Sequence, residues 1–234
     1  MAVSVLCLVS AISPRSCRTL RRWSGAVAAA VLGLAGCGTS GAPGAAEPTP
    51  PAIDPARIER VRAELPPEYE TAALSGAISP VDQWGLGAHR AADPPQCAAL
   101  GAPAAAAASA RGWSASGTGG IVYAVVAAAP DPPAAALTAD CAHWSVAAGS
   151  SSARVESVPP PAIDDAETIA MAVEVATVVE GGTETHAHAD TVTAYLDGHV
   201  VVITVVTDPG AAHPQLSNGF AADLTARTVA ALRG

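Results

Sequence analysis

Residues 168–207 read TIAMAVEVATVVEGGTETHAHADTVTAYLDGHVVVITVVT, and the way this stretch folds back on itself decides the architecture. Three runs rich in Val, Ile and Thr (168–179, 183–196 and 200–207) are separated by Glu180-Gly181-Gly182 and Leu196-Asp197-Gly198. Branched side chains suit a pleated strand, and both glycine joints carry hairpin chemistry. The expectation is a three-stranded antiparallel meander. In its middle run, Glu184-Thr-His-Ala-His-Ala-Asp190 sets two imidazoles and two carboxylates at every second position, which a strand turns to one side.

Register decides which side that is. Two-residue turns at both joints would set Val175 opposite His188 and Val205 beside Asp190, so that ionisable groups stand among valines. Three-residue loops of the type I plus bulge kind want glycine at their third position, where Gly182 and Gly198 stand. In that register Glu174 opposes His188, Ala172 opposes Asp190, and Thr204 lies beyond Asp190. Ile169, Met171, Val173, Val175, Ala187, Ala189, Thr191, Tyr195, Val201, Ile203 and Val205 then form one core surface. Burying unpaired charge is costly, so the second register is favoured and the motif reads as a polar sheet face.

A polar face carries three further readings. As a metal site, His186 and His188 offer nitrogen and Glu184, Asp190 and Glu174 offer oxygen, a donor set for zinc or a similar divalent ion; on a flat strand surface, however, nothing encloses the ion. As an acid/base site it lacks a companion nucleophile, phosphate loop or cofactor fingerprint. As a pH-responsive surface it has imidazoles beside carboxylates that titrate near neutrality. No catalytic residue and no cofactor is expected: the chain has no Gly-x-Ser-x-Gly elbow, Walker A loop or His-Glu-x-x-His helix. Ser75-Gly76 and the serine run Ser150 to Ser152 lack any context that would activate a hydroxyl; His89-Arg90 lies in an unassigned loop, His213-Pro214 precedes the last helix, and His143 beside Trp144 reads as a packed or surface residue rather than a ligand.

Working outward, Asp54-Pro55 caps a helix with Ile58, Val61 and Leu65 at helical spacing, stopped by Pro66-Pro67. Residues 69–74 read as a short strand, and 120–129 (GIVYAVVAAA) as a central strand covered on both faces. Asp93 to Leu100 reads as a short capped helix carrying Cys97. Asp131-Pro132 opens a helix with Leu137, Cys141 and Trp144 on one face, where an apolar ligand pocket against the sheet is expected beside Leu137 and Trp144. Residues 152–157 read as a strand, and Leu216, Phe220, Leu224 and Leu232 mark an amphipathic C-terminal helix. Hairpin-joined strands with helices at the start, middle and end predict an α+β domain: a mostly antiparallel twisted sheet with helices covering one face.

The N-terminus reads as an address. Arg15, Arg18, Arg21 and Arg22 precede an apolar run from residue 23 to 34, the length of a signal-peptide core and short for a membrane span. The run ends in Leu34-Ala-Gly-Cys37, which resembles the lipobox of bacterial lipoproteins. The resemblance implies cleavage before Cys37 and lipidation of Cys37, anchoring the chain outside the cytoplasmic membrane. The expected organisation is therefore a signal peptide over 1–36, a lipidated cysteine and Gly/Ala/Pro-rich tether over 37–53, and one domain over 54–234. The full chain carries −9. Those four arginines are among its 12 basic residues, so their removal leaves 8 against 21 acidic ones, or −13, which excludes nucleic acid held by a basic patch. With Cys7 and Cys17 removed and Cys37 lipidated, Cys97 and Cys141 remain, and an oxidising compartment makes them a disulfide.

Val178-Val-Glu-Gly-Gly-Thr-Glu184, Val205-Val-Thr-Asp-Pro-Gly210, Val229-Ala-Ala-Leu-Arg-Gly234 and the Cys97/Cys141 spacing resemble an actinobacterial lipoprotein family of unknown function, over residues 53–234. More distantly, the helix-sheet order is similar to the extracellular sensor domain of the mycobacterial kinase PknH. That likeness implies a helix-backed antiparallel sheet with a ligand cleft. The sensor family has a second disulfide that the cysteines here cannot supply. The expected function is a non-enzymatic, membrane-anchored envelope module that takes a small apolar or envelope-derived ligand or a protein partner. The alternatives are a surface metal-binding lipoprotein and a structural lipoprotein without a pocket.

Overall fold

The computed structural model describes residues 52–74, 79–210, 216, 217 and 219–234, all within the compact unit Pro48–Gly234. Cys37, Ser75, Gly76 and His213 lie outside the described residues. Nine strands follow in chain order: β1 (Glu70–Leu74), β2 (Ala91–Asp93), β3 (Arg111–Gly117), β4 (Gly120–Ala128), β5 (His143–Ala148), β6 (Ser151–Val158), β7 (Glu167–Val178), β8 (Glu184–Leu196) and β9 (His199–Thr207). They form one sheet in the order β1-β3-β4-β9-β8-β7-β6-β5-β2. Every pairing in it is antiparallel. The expected α+β class, with one disulfide, is what the molecule shows.

The two joints of the meander differ. Across β7 and β8, Glu174 opposes His188 and Ala172 opposes Asp190, the register expected from a glycine at the third loop position. Across β8 and β9, Leu196 pairs His199 and Asp190 pairs Val205, so the turn is the two-residue Asp197-Gly198. Both turn residues have positive φ, 41° and 71°, the type I′ conformation whose twist matches the flanking strands. The expected three-residue loop is therefore corrected at this joint. Val201, Ile203 and Val205 turn to the face that carries His188 and Asp190, while Val200, Val202 and Thr204 turn away. β9 tolerates either register because its run of branched residues is apolar on both faces.

That tolerance reflects a second correction: helices cover both faces, not one. On the first face, the helix Pro55–Glu64 and the C-terminal helix Phe220–Arg233 pack over β3, β4, β9 and the distal half of β8. Asp54 starts the former, its carboxylate accepting from Ala56 N at 3.0 Å, and Ile58 and Val61 are its buried residues. Two bonds fix these helices to each other and to the sheet. Asp54 N donates to Leu232 O at 3.0 Å, and the indole of fully buried Trp113 donates to Ile58 O at 3.0 Å. Leu224, Val229 and Leu232 bury against Val192, Leu196 and Ile203, each such side chain contributing about 1.5 to 3 kcal/mol.

On the opposite face, Val81, Trp84, Leu86, Leu100 and the Cys97–Cys141 disulfide cover Val125, Val155, Met171, Val173 and Val202. The polar atoms of this layer are only partly paired: Trp144 Nε1 and Thr193 Oγ1 are buried without a hydrogen-bond partner among the described residues, while others meet across the cover and the sheet. Trp84 Nε1 donates to Thr191 Oγ1 at 2.9 Å, and Thr191 Oγ1 lies 3.1 Å from Thr204 Oγ1. Among the described residues no helix is long and apolar enough to cross a membrane.

Candidate functional site

Side chains of residues paired across an antiparallel ladder share a face. Glu184, His186, His188 and Asp190 therefore stand with Glu174 on β7, Arg154 and Glu156 on β6, His143 and Ser145 on β5, and Asp93 on β2. No helix of the described residues packs on this part of the face. A groove of about 590 Å³ is lined by Asp93, His143, Ser145, Arg154, Glu156, Ala172, Glu174 and His188. A second hollow of about 360 Å³ continues it along Ser152, Ala176, Glu184 and His186, sharing Arg154 and Glu174. One cross-strand row of this lining runs Ser145, Arg154, Glu174, His188.

The groups differ in how firmly they are held. His188 Nε2 lies 3.2 Å from Asp190 Oδ1, with both side chains partly buried. The hydrogen bond to Asp190 holds the imidazole pKa above its ordinary 6.5; partial burial opposes this, and the charges of Asp190 and Glu174 add to it. His186 Nε2 lies 3.4 Å from Glu184 Oε1 in a more exposed pair. Arg154 faces Glu174 across the ladder, yet among the described residues neither it nor Glu156, Glu174 or Asp93 makes an ion pair within 4.0 Å. Nor do three His, Cys, Asp or Glu side chains converge anywhere among the described residues as a metal-holding group. The donors are spread along and across neighbouring strands at the spacing that a sheet face dictates.

The layer beside Trp144 is packed rather than hollow. The expected helix ends early: it spans Ala135–Asp140, Cys141 closes it, and His143 already belongs to β5. Trp144 therefore sits on a strand with its indole beneath the helices, 6.0 Å from the ring of Trp84. A Cβ on Gly101 would stand 2.6 Å from Val81 Cγ1 and 2.9 Å from Trp144 Cη2, so only glycine lets the short helix Ala98–Gly101 approach. Leu137 packs partly buried against the same core. Trp144 borders the groove, on the far side of the sheet from its ring, and Leu137 does not line it.

Asp93, His143, Arg154 and Glu156 were not among the residues expected from sequence. The signal for two of them was present: Ala153 and Val155 are buried while Arg154 and Glu156 are exposed, the alternation of a half-buried strand. His143 was hidden because Leu137, Cys141 and Trp144 also fit helical spacing.

The fold and site define an α+β domain on a single antiparallel sheet, closed by helices on one face and half open on the other. Residues 54–233 match the family described as Domain of unknown function (DUF5642), and the chain belongs to that family. It is also similar to the solved X-ray structure of an uncharacterised protein (Rv0999 ortholog) from Mycobacterium smegmatis. The TM-score is 0.56, covering 80% of this chain and 100% of that one at 19% identity; this likeness shows the fold alone. No curated protein matches the chain.

Proposed function

We propose that this protein is a lipid-anchored, non-enzymatic binding module of the cell envelope. Acylated Cys37 holds it on the outer side of the cytoplasmic membrane, and the open face of β5–β8 takes a polar ligand or protein partner. The observation that carries this reading is the groove of about 590 Å³, within the range of small-molecule sites, lined by carboxylates, imidazoles and a guanidinium that have few partners of their own. The apolar ligand expected beside Leu137 and Trp144 gives way to a polar one, because the apolar layer is filled and the open concavity is charged. The anchor rests on the Leu34-Ala-Gly-Cys37 lipobox, and the sensor-like character on the distant similarity to the PknH extracellular domain.

Two measurements test the two halves of the proposal. Cys37→Ser should move the protein from the membrane fraction to the soluble fraction of its own cells; a variant that stays with the membrane sinks the anchor. Native mass spectrometry of the envelope-isolated protein should show lipid, one disulfide and a co-purifying polar molecule that Arg154→Ala with Glu174→Ala removes. A bare lipidated chain under conditions gentle enough to keep the lipid would leave a structural lipoprotein instead.

A further inference from the structure

Of the five histidines among the described residues, three lie on the open face. His143 stands opposite Glu156 on β6 and His188 opposite Glu174 on β7. His186 and His188 also lie 3.4 and 3.2 Å from Glu184 and Asp190 of their own strand. Each imidazole is thus placed beside a carboxylate that it can neutralise when protonated. On the β9 side, the residue opposite His188 is Thr207, which does not titrate. Arg154 on β6 and Asp93 on the edge strand complete the charged groups around the groove.

We propose that this face is a pH-sensitive binding surface on which protons compete with a small organic polycation for the same carboxylates. The inference rests on the binding-face reading above and adds the chemistry of the ligand and its control. With neutral imidazoles the face carries Asp93, Glu156, Glu174, Glu184 and Asp190 against Arg154, a formal −4. With all three imidazoles protonated it carries −1. A cation therefore finds unpaired carboxylates near neutrality. In mildly acidic surroundings it meets carboxylates already committed to imidazolium. A bare metal ion is poorly served, because no three donors converge. An extended cation with charges separated by several Å suits carboxylates on neighbouring strands, which are about 4.8 Å apart. The raised imidazole pKa of His188 is in the direction that brings this competition toward neutrality.

Spermidine serves as the probe, followed by backbone amide NMR of the compact unit Pro48–Gly234, at pH 7.5 and 5.5 and constant ionic strength. Shifts should gather on β5–β8, with affinity about tenfold weaker at the lower pH, as expected when several short-range charge pairs are lost. Glu156→Gln with Glu174→Gln should abolish binding. His188→Gln should reduce the ratio of affinities between the two pH values. Shifts scattered over every acidic surface residue, or affinity independent of pH, would overturn the proposal. Binding of a tri-lysine peptide in place of spermidine would move the site to a basic protein partner and overturn the small-molecule assignment. If citrate perturbs the β5–β8 amides and neither cation does, the polycation assignment falls while the binding face stands. If the face also stays silent and the envelope-isolated protein carries no ligand, both fall.

Discussion

The same face of β8 has two fates. From Val192 through Ala194 to Leu196 the side chains are buried beneath the C-terminal helix, while from Glu184 to Asp190 they stand in an open groove. Backbone, ladder and neighbouring strands run continuously across the change, so the sheet itself does not set polarity. The cover does. Where Phe220–Arg233 lies over the strand, the positions are Val, Ala and Leu; where it does not, they are Glu, His, His and Asp. The opposite face of β8 carries no ionisable group in its open half: Ala189, Thr191 and Tyr195 are buried in the disulfide-linked layer, and burial fades through Ala187 to exposed Thr185.

The comparison is broken most directly by moving the step. Val192→Asp carries the polar pattern one position under the helix. It removes an apolar side chain that is 4% exposed and buries a carboxylate without a partner. We expect a loss of about 4 kcal/mol from the two effects together, read by urea denaturation at neutral pH. Asp190→Val, the reverse move on the open side, should cost well under about 1 kcal/mol. Equal losses from the two would mean that the cover does not set the step. The opposite cover depends on its staple instead. Cys97→Ser with Cys141→Ser opens a cross-link spanning 44 residues and should lower stability by about 3 to 4 kcal/mol. An unchanged midpoint would show that the helices hold that face without it.

How much of this was legible can be argued from the same residues. The hairpin of β7 and β8 was readable because its glycines fix a loop and its alternation fixes a face. The hairpin of β8 and β9 was not, since Asp197-Gly198 fits a two-residue turn and Gly198 also fits the third position of a longer one. The alternation of β9 could not arbitrate, being apolar on both sides. The assumption that one whole face is wet then chose wrongly, because the wet part is only half a face. β5 was lost for a related reason: Leu137, Cys141 and Trp144 obey helical spacing by coincidence, although Trp144, Val146 and Ala148 alternate as a strand. Without β5, the groove had one wall. The four ionisable residues of β8 were found, with Glu174 and Ala172 opposite His188 and Asp190; Arg154, Glu156 and His143, one and two strands further along the face, were not.

The smallest effect tests the open half on its own terms. His188 has its folded pKa raised, first by the hydrogen bond to Asp190. A group whose folded pKa lies above its unfolded value stabilises the fold fully below the unfolded value, about 6.5, and loses that contribution as pH rises through the folded one. Stability should therefore fall slightly on going from pH 5.5 to 8 through this pair alone. The pair is partly exposed, with His188 at 38%, so solvent screening leaves only a few tenths of a kcal/mol. The titration midpoint is the better readout. Followed by NMR on the imidazole carbon-bound proton, it should lie above 6.5 in the native chain. Asp190→Asn should lower it, and Glu174→Gln should lower it by less. A larger effect from Glu174→Gln would make the cross-strand carboxylate the dominant partner. The groove would then be organised across the ladder rather than along β8, and the step in polarity would belong to the neighbouring strands as much as to the helix above.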